Sequence, residues 1–390
     1  MGGESLLGRK TGIGQYSENL ARNLMQFSEI EDLKFLAHGK LIPSKALIET
    51  SRKKGEQNKS NSAISNVTAK ARGIIAKNSA AVRCYESMIP FLERRALRQY
   101  SGEDIFHSPN YLLPDFRGKR VVTILDLSTI KHPEFHNPSI ARLVNRYIHK
   151  AVRSADHLIA ISNFVKQEII TEFGVPENRI STTYLSANSS FLPLTRPEFL
   201  SSNVYKDIDY KNYFICTSTI EPRKNLSRLL DAYALYRRRA KSHALPLVIA
   251  GHPGWGNKEF HRRIRQVEAS TGVIYLGYVR QDHLPTLIAG ARALLYPSLY
   301  EGFGLPVIEA MQSGTAVLTS KDSAMSEIAG GAALLTNPYD IEQMASNLFE
   351  LASDDSLTQK CQEYGILRSA EFGWQFCANQ TLSIYKRLLR

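Results

Sequence analysis

Short aliphatic runs recur along this chain with stretches of helical periodicity between them, and that alternation restricts the fold more than any other feature. In the first half the runs are Asp104 to His107, Val121 to Leu125, His157 to Ile161 and Ile180 to Tyr184. The second half has Tyr213 to Thr217, Leu247 to Ala250, Val273 to Leu276, Ala293 to Tyr296 and Ala316 to Thr319. Such runs between helical patterns predict βαβ units and parallel sheets. Two series of them predict an α/β chain of two Rossmann-like, doubly wound domains. The stretch from Asn188 to Lys211 carries Pro193, Pro197 and several Ser and Asn residues and lacks sustained helical periodicity, so it is read as the linker. The first domain then covers 1–195 and the second 205–371. Asn225 is expected to cap a helix that places Leu226, Leu229, Leu230 and Tyr233 on one face.

A length of 390 residues with 43% hydrophobic content is enough for two domain cores. The longest apolar runs fall far short of the roughly 20 residues that cross a bilayer. The start, MGGESLLGRKTG, has no signal-peptide character, so a cytoplasmic location is expected. Cys84, Cys216, Cys361 and Cys377 are too scattered for a metal site or a disulfide framework and read as free thiols. The net charge of +12 calls for an anionic partner: a nucleotide sugar, an anionic membrane or a nucleic acid. With no zinc-finger spacing, RNP-like string or basic tract, no nucleic acid is expected. Ser51 to Asn66 is polar and reads as a mobile loop. The segment 66–100 is rich in Lys and Arg (Lys70, Arg72, Lys77, Arg83, Arg94, Arg95, Arg98) interleaved with Ile74, Ile75, Val82, Ile89, Phe91 and Leu92. It reads either as a solvated basic helix or as a surface for peripheral contact with an anionic membrane.

Chemistry concentrates in PSLYEGFGLPVIEAMQSG, from Pro297 to Gly314, directly after a strand. Pro306 suits the first turn of a helix and Gly314 its end. Gly302 and Gly304 are expected to let the backbone approach a ligand, with the helix N-terminus beyond them offering N–H groups to an anion. Glu301 and Glu309 flank the turn and can accept hydrogen bonds from hydroxyls. A second segment, TIEPRKN from Thr219 to Asn225, sets Arg223 and Lys224 at a strand's C-terminal end, where doubly wound sheets bind ligands. TGIGQY, from Thr11 to Tyr16, reads as a glycine turn ahead of a helix, with Gly12 and Gly14 able to admit a ligand. GHPGWG (Gly251 to Gly256) and Gly277–Tyr278–Val279 follow strands of the second domain. His107 is a candidate for the cleft or a packed core histidine.

With these motifs the chain resembles the retaining GT-B glycosyltransferases of family 4, also called glycosyl transferases group 1. Within that family the overall resemblance is to bacterial mannosyltransferases of O-antigen or exopolysaccharide assembly. The resemblance covers nearly the whole chain and is strongest from Tyr213 to Pro338. It implies two domains facing a central cleft, with a C-terminal helix (372–390) crossing back to the first domain. It also implies that Glu301 and the backbone at Gly302, Phe303 and Gly304 hold the transferred sugar, that Leu305 and Pro306 lie by the phosphates, and that Glu309 holds the ribose. Arg223 and Lys224 would grip the diphosphate. Tyr278 and Val279 would meet the base, Gly12 and Gly14 would face the donor, and Glu327 would fix a loop nearby. Two features depart from the family pattern. Only MGGESLLGRK precedes the glycine turn, where relatives have a complete strand, so an exposed sheet edge is expected. In Ile124 to Leu127 (ILDL), Asp126 matches, but Leu125 stands where many relatives have His.

What the resemblance implies is a retaining transfer of a hexose, with GDP-mannose as first choice and dTDP-rhamnose or a UDP-sugar behind it. The acceptor would be a glycan or lipid-linked oligosaccharide in cell-surface polysaccharide synthesis. No cofactor or metal is expected. The string Asp207 to Asp209 resembles the metal-holding Asp-x-Asp of another transferase class but lies in the linker. A related-fold epimerase or phosphorylase, and a binding module without activity, are the rival readings.

Overall fold

A computed structural model describes residues 1–7, 12–49, 79–100, 102–202, 208–252 and 272–390, and side chains of the 79–97 helix from Met88 onward. The polar stretch 51–66, the basic residues up to 78 with Arg83, Cys84, Thr11, Asp207 and most of GHPGWG lie outside the described residues. Every strand expected from the sequence forms. β1 (Lys34–Ala37) and β2 (Lys40–Pro43) make an antiparallel hairpin that was not anticipated. β3 (Ile105–Ser108), β4 (Lys119–Ile124), β5 (His157–Ala160) and β6 (Ile180–Thr182) make a parallel sheet in sequence order. The second sheet contains β7 (Phe214–Thr217), β8 (Leu247–Ala250), β9 (Val273–Gly277), β10 (Ala293–Tyr296), β11 (Ala316–Ser320) and β12 (Leu334–Thr336). It is wholly parallel, in the order β12-β11-β10-β7-β8-β9. The protein is thus α/β, with two Rossmann-like domains.

At the expected open edge of the first sheet, β3 meets the first residues of the chain. Met1 to Gly3 lie between β1 and β3: Leu36 N donates to Met1 O (2.8 Å), Gly3 N to Leu36 O (2.8 Å) and Gly2 N to His107 O (3.0 Å). One of these bonds, from Gly2 N, reaches β3 and satisfies a carbonyl at that edge.

Both sheets are covered on both faces, as parallel sheets require, and their side chains alternate accordingly. In the first sheet Val121 and Ile159 point into one core, while Phe106, Val122, Ile124, Leu158 and Ala160 point into another. In the second, Ile215, Val248, Leu294 and Val317 share the core of Val121, and Phe214, Cys216, Leu247, Ile249 and Leu295 form the opposite one. The Trp374–Leu389 helix joins the shared core through Cys377, Ala378, Leu382, Ile384 and Tyr385 and packs on the Gly12–Leu24 helix. Among the described residues no helix is long and apolar enough to cross a membrane, and Cys216, Cys361 and Cys377 are free and buried.

Three local expectations need correction. Gly12 and Gly14 lie in the first turn of the Gly12–Leu24 helix and not in a loop before it. The linker contains a helix, Arg196–Ser201, because Thr195 and Glu198 form a capping box and Phe199 is buried against Gly290. Asn225 precedes its helix with φ of 60° and makes no cap. Its Nδ2 donates instead to Pro297 O (3.0 Å) and Pro338 O (2.6 Å).

His107 is a core residue. Its Nδ1 pairs with Tyr385 Oη (2.6 Å) and its Nε2 with Thr123 Oγ1 (2.8 Å), which Tyr16 Oη also reaches (2.7 Å). Burial lowers its pKa to about 3, so the ring is neutral. This network fastens the last helix to β3 and β4. Tyr385→Phe leaves Nδ1 unpaired in the core and is expected to cost about 1–3 kcal/mol, read as a lower urea midpoint.

Candidate active site

β7 lies between β8 and β10, so the chain leaves β7 toward one side of the sheet and β10 toward the other. Loops at the carboxyl ends of such a strand pair border a crevice. The β7 loop ends in a tight turn, Pro222–Lys224, and the β10 loop runs from Pro297 to Gly304. Backbone bonds stitch them together: Leu299 N donates to Arg223 O (2.8 Å), and Asn225 holds the carbonyl of Pro297.

Consecutive positions in the turn send two cations to one carboxylate. Arg223 Nη1 lies 2.8 Å from Glu301 Oε2, and Lys224 Nζ lies 2.5 Å from Glu301 Oε1. Arg223 also donates to Tyr300 O (2.8 Å), and Lys224 to Tyr296 Oη (2.7 Å), which itself donates to Glu301 (3.1 Å). The three charged side chains are only 12–15% exposed. Burial alone would push the Glu301 carboxyl up, but Lys224 and Arg223 overcome it and hold the pKa at about 2. Burial likewise works against the Arg223 cation, yet Glu301 and Asp126 raise its pKa above the ordinary value. Arg223 Nη2 also lies 3.6 Å from Glu221 Oε2, so Glu301 and Glu221 balance the two cations, and what the cluster offers an anion is the donor capacity of Arg223 and Lys224 that these carboxylates leave open.

Glu309 is not part of that cluster. It sits in the Leu305–Gln312 helix, half-buried, and burial without an opposing charge pushes its pKa up to about 7. Gly304 stands at the N-cap in the left-handed region (φ of 98°) and Pro306 lies in the first turn. Phe303 is buried against Phe372 and Tyr184, so only its backbone is available to a ligand. Leu305 and Pro306 are half-buried at the start of the helix.

The first domain forms the opposite wall, and Gly302 lies against it. A Cβ on Gly302 would stand 1.8 Å from Leu125 O and 3.0 Å from Asp126 Cβ. The glycine therefore permits contact between the domains, whatever it also permits to a ligand. Gly302 O accepts from Ser162 Oγ (2.7 Å), and Tyr300 Oη accepts from Leu127 N (3.1 Å) and donates to Glu168 (2.5 Å). Glu327 reaches across to accept from Asn163 N (2.8 Å), Phe164 N (2.7 Å) and Tyr184 Oη (2.8 Å), and so fastens the start of a first-domain helix. Asp126 accepts from Ser128 N (2.9 Å) while its charge acts on Arg223.

The remaining candidates separate. Gly12 is exposed, and no atom within 4 Å would meet a Cβ placed on it, whereas Gly14 is buried. Three residues after Gly12, Gln15 Nε2 donates to Gln281 Oε1 (3.4 Å) beside the loop after β9. There Tyr278 is 58% exposed and Val279 is buried in the shared core. Sequence reasoning missed Tyr296, Tyr300 and Ser162. Tyr300 precedes Glu301 directly and Ser162 caps the helix after β5, but neither position carries a sign of which domain it will touch.

Residues 201–368 match the family described as Glycosyl transferases group 1, and residues 82–188 match Glycosyltransferase Family 4. The chain is 32% identical to the O-antigen chain mannosyltransferase B of Escherichia coli, over 97% of this chain and 96% of that protein. It is 28% identical over 60% of its length to the serotype-specific mannosyltransferase WbdA of Escherichia coli, of which the match spans 29%. Among solved structures, the Anabaena HepE protein in complex with UDP and glucose superposes with a TM-score of 0.64 at 17% identity, covering 97% of each chain. That likeness shows the GT-B fold.

Because a Cβ at position 302 collides with a backbone carbonyl, Gly302→Ala is expected to part the two domains. Small-angle scattering should report a larger radius of gyration, and an unchanged radius would disprove the contact.

Proposed function

The chain belongs to the group 1 glycosyltransferases of GT-B fold, and from that premise we propose that it moves mannose from GDP-mannose to a growing or lipid-linked glycan, retaining the anomeric configuration. The observation that carries this reading is the Arg223–Lys224 pair held on Glu301 at the β7/β10 crevice, opposite Asp126. A diphosphate suits an Arg and a Lys set side by side at a strand's end with donors still open. The mannosyltransferase names of the relatives suggest the sugar, and the O-antigen chain in the name of one of them suggests the acceptor class.

The chemistry then follows from charge. Arg223 has donors beyond those that Glu301 and Tyr300 occupy, so it can keep its anchor and still bind a phosphate oxygen. Negative charge grows on the diphosphate as the bond to C1 breaks, and Arg223 and Lys224 stabilise it. The acceptor hydroxyl attacks C1 from the side the diphosphate leaves, and the departing phosphate oxygen takes the hydroxyl proton. Retention then needs no protein nucleophile. Glu301 keeps the cations in place and accepts a sugar hydroxyl, while the backbone at Gly302 to Gly304 lies along the sugar and that at Leu305 and Pro306 along the phosphates. Glu309 accepts the ribose hydroxyls, and Tyr278 stacks at the open end of the base site. No metal is needed where two cations already face the diphosphate. Peripheral contact with an anionic membrane would use the exposed Met88 and Phe91 beside Arg94, Arg95 and Arg98, on the cytoplasmic side.

Purified protein offered a panel of nucleotide sugars with acceptor should turn over GDP-mannose, with an α-linked product by NMR. Release of sugar from donor alone at the same rate would favour a hydrolase or epimerase instead. Lys224→Ala and Arg223→Ala are each expected to lower kcat by about 10²–10³, and EDTA should leave the wild-type rate unchanged. Glu309 accepts both ribose hydroxyls only when ionised, so donor affinity should rise as pH passes upward through about 7. Glu309→Gln should flatten that rise in calorimetric titrations.

A further inference from the structure

His136 stands outside the cluster described above, and nothing in the proposed chemistry uses it. It closes the short turn Pro133–Phe135, with its N–H on Pro133 O (3.1 Å). The turn is fixed on both flanks. The His132 ring stacks on Phe135 (centroids 5.4 Å apart) and packs against Tyr300 of the other domain (4.9 Å). After it, the Asn137 side chain caps the Pro138–Ser154 helix by accepting from Ser139 N and Ile140 N. An imidazole on such a turn is held in position before any ligand arrives.

The Nε2 atom of His136 is buried and has no hydrogen-bond partner. A polar atom left so has lost its water with no bond in return, and a native group in that state calls for an explanation. Charges from both domains act on the ring: Asp126 and Glu134 from the first, Arg223 and Glu221 from the second. An anion at Nε2 would face three carboxylates, and a cation would face the guanidinium. Burial also lowers the pKa of the ring, so it is the neutral imidazole, with one donor and one acceptor nitrogen, that meets the ligand. A hydroxyl, donor and acceptor at once, fits that nitrogen and the carboxylates around it.

We propose that His136 is a sugar-binding residue, its Nε2 hydrogen-bonded to a hexose hydroxyl lying between Asp126 and Arg223. The assignment rests on the reading of the crevice as a sugar-nucleotide site. It deepens that reading by naming a contact from the first domain that recognises the sugar and not the diphosphate. Nε2 is enclosed with the domains as they stand, so the sugar reaches it when they are further apart than here.

The test uses the full chain and the nucleotide sugar that wild type turns over, with His136→Ala, His136→Phe and His136→Gln. Ala and Phe should lower kcat/KM roughly ten- to a hundredfold, and Gln, whose amide can replace the ring nitrogen, should recover most of it. Phe controls for lost volume, because a packing role would be rescued by Phe and not by Gln. Deoxy analogues identify the hydroxyl. The one that His136 contacts should weaken wild type and leave His136→Ala indifferent; finding it among donor analogues places it on the transferred sugar, and among acceptor analogues on the acceptor. Ala and Phe variants within twofold of wild type, or losses equal for every deoxy analogue, overturn the assignment while the transferase reading stands. A wild type silent toward every nucleotide sugar removes the parent reading and this one together.

Discussion

The arrangement depends on Glu301 as a bridge between two cations that would otherwise repel each other. Arg223 and Lys224 are neighbours in one tight turn, both largely buried, and neither position is tenable without a counter-charge. Removing one partner of a buried ion pair costs on the order of 3–5 kcal/mol, because the charge left behind has lost its water. The bridge also sets the spacing of the β7 and β10 loops, since Arg223 holds the Tyr300 carbonyl while its own carbonyl holds Leu299 N. Local stability and the proposed diphosphate site therefore rest on the same contacts.

That bridged loop is gripped a second time, by the opposite domain. Ser162 holds the Gly302 carbonyl, Leu127 and Glu168 hold the Tyr300 hydroxyl, and Glu327 caps the N-terminus of the helix that begins at Asn163. Each of these bonds crosses between the domains. On the reading proposed above, a ligand for Arg223 passes between surfaces that these bonds hold together, and the domains open and close to admit it. The shared core around the Trp374–Leu389 helix and the His107 network keeps the two halves in register while that happens.

Much of this was legible in the chain. β8 and β10 begin and end where their aliphatic runs do, because parallel strands buried on both faces leave continuous apolar stretches. The Arg-Lys turn and the first glutamate of the loop were readable from their place after strands together with the family likeness of the whole string, since an Arg-Lys pair alone is more often a solvated helix start. Less legible were β1, β2 and β12, which are short and incompletely buried, and the stub at Met1 to Gly3, whose pairing depends on a strand thirty-odd residues away. His107 and Asn225 show the limit at single residues. Each is a polar residue whose partners come from distant segments, Tyr385 in one case and Pro297 and Pro338 in the other.

By itself the sequence determined what local pattern can determine: the α/β alternation, the two sheets, the helix that starts at Leu305 and Pro306, and the presence of cations and carboxylates at strand ends. Tertiary structure alone decided that Glu301 binds Arg223 and Lys224 while Glu309 stands apart from them. It also decided that Gly302 answers to Leu125, and that the His136 ring nitrogen is enclosed without a partner. The reason is range. Strand and helix periodicity is written within a dozen residues, whereas these contacts join segments far apart in the chain, and a side chain's identity fixes what it can bond but not what will be brought to it.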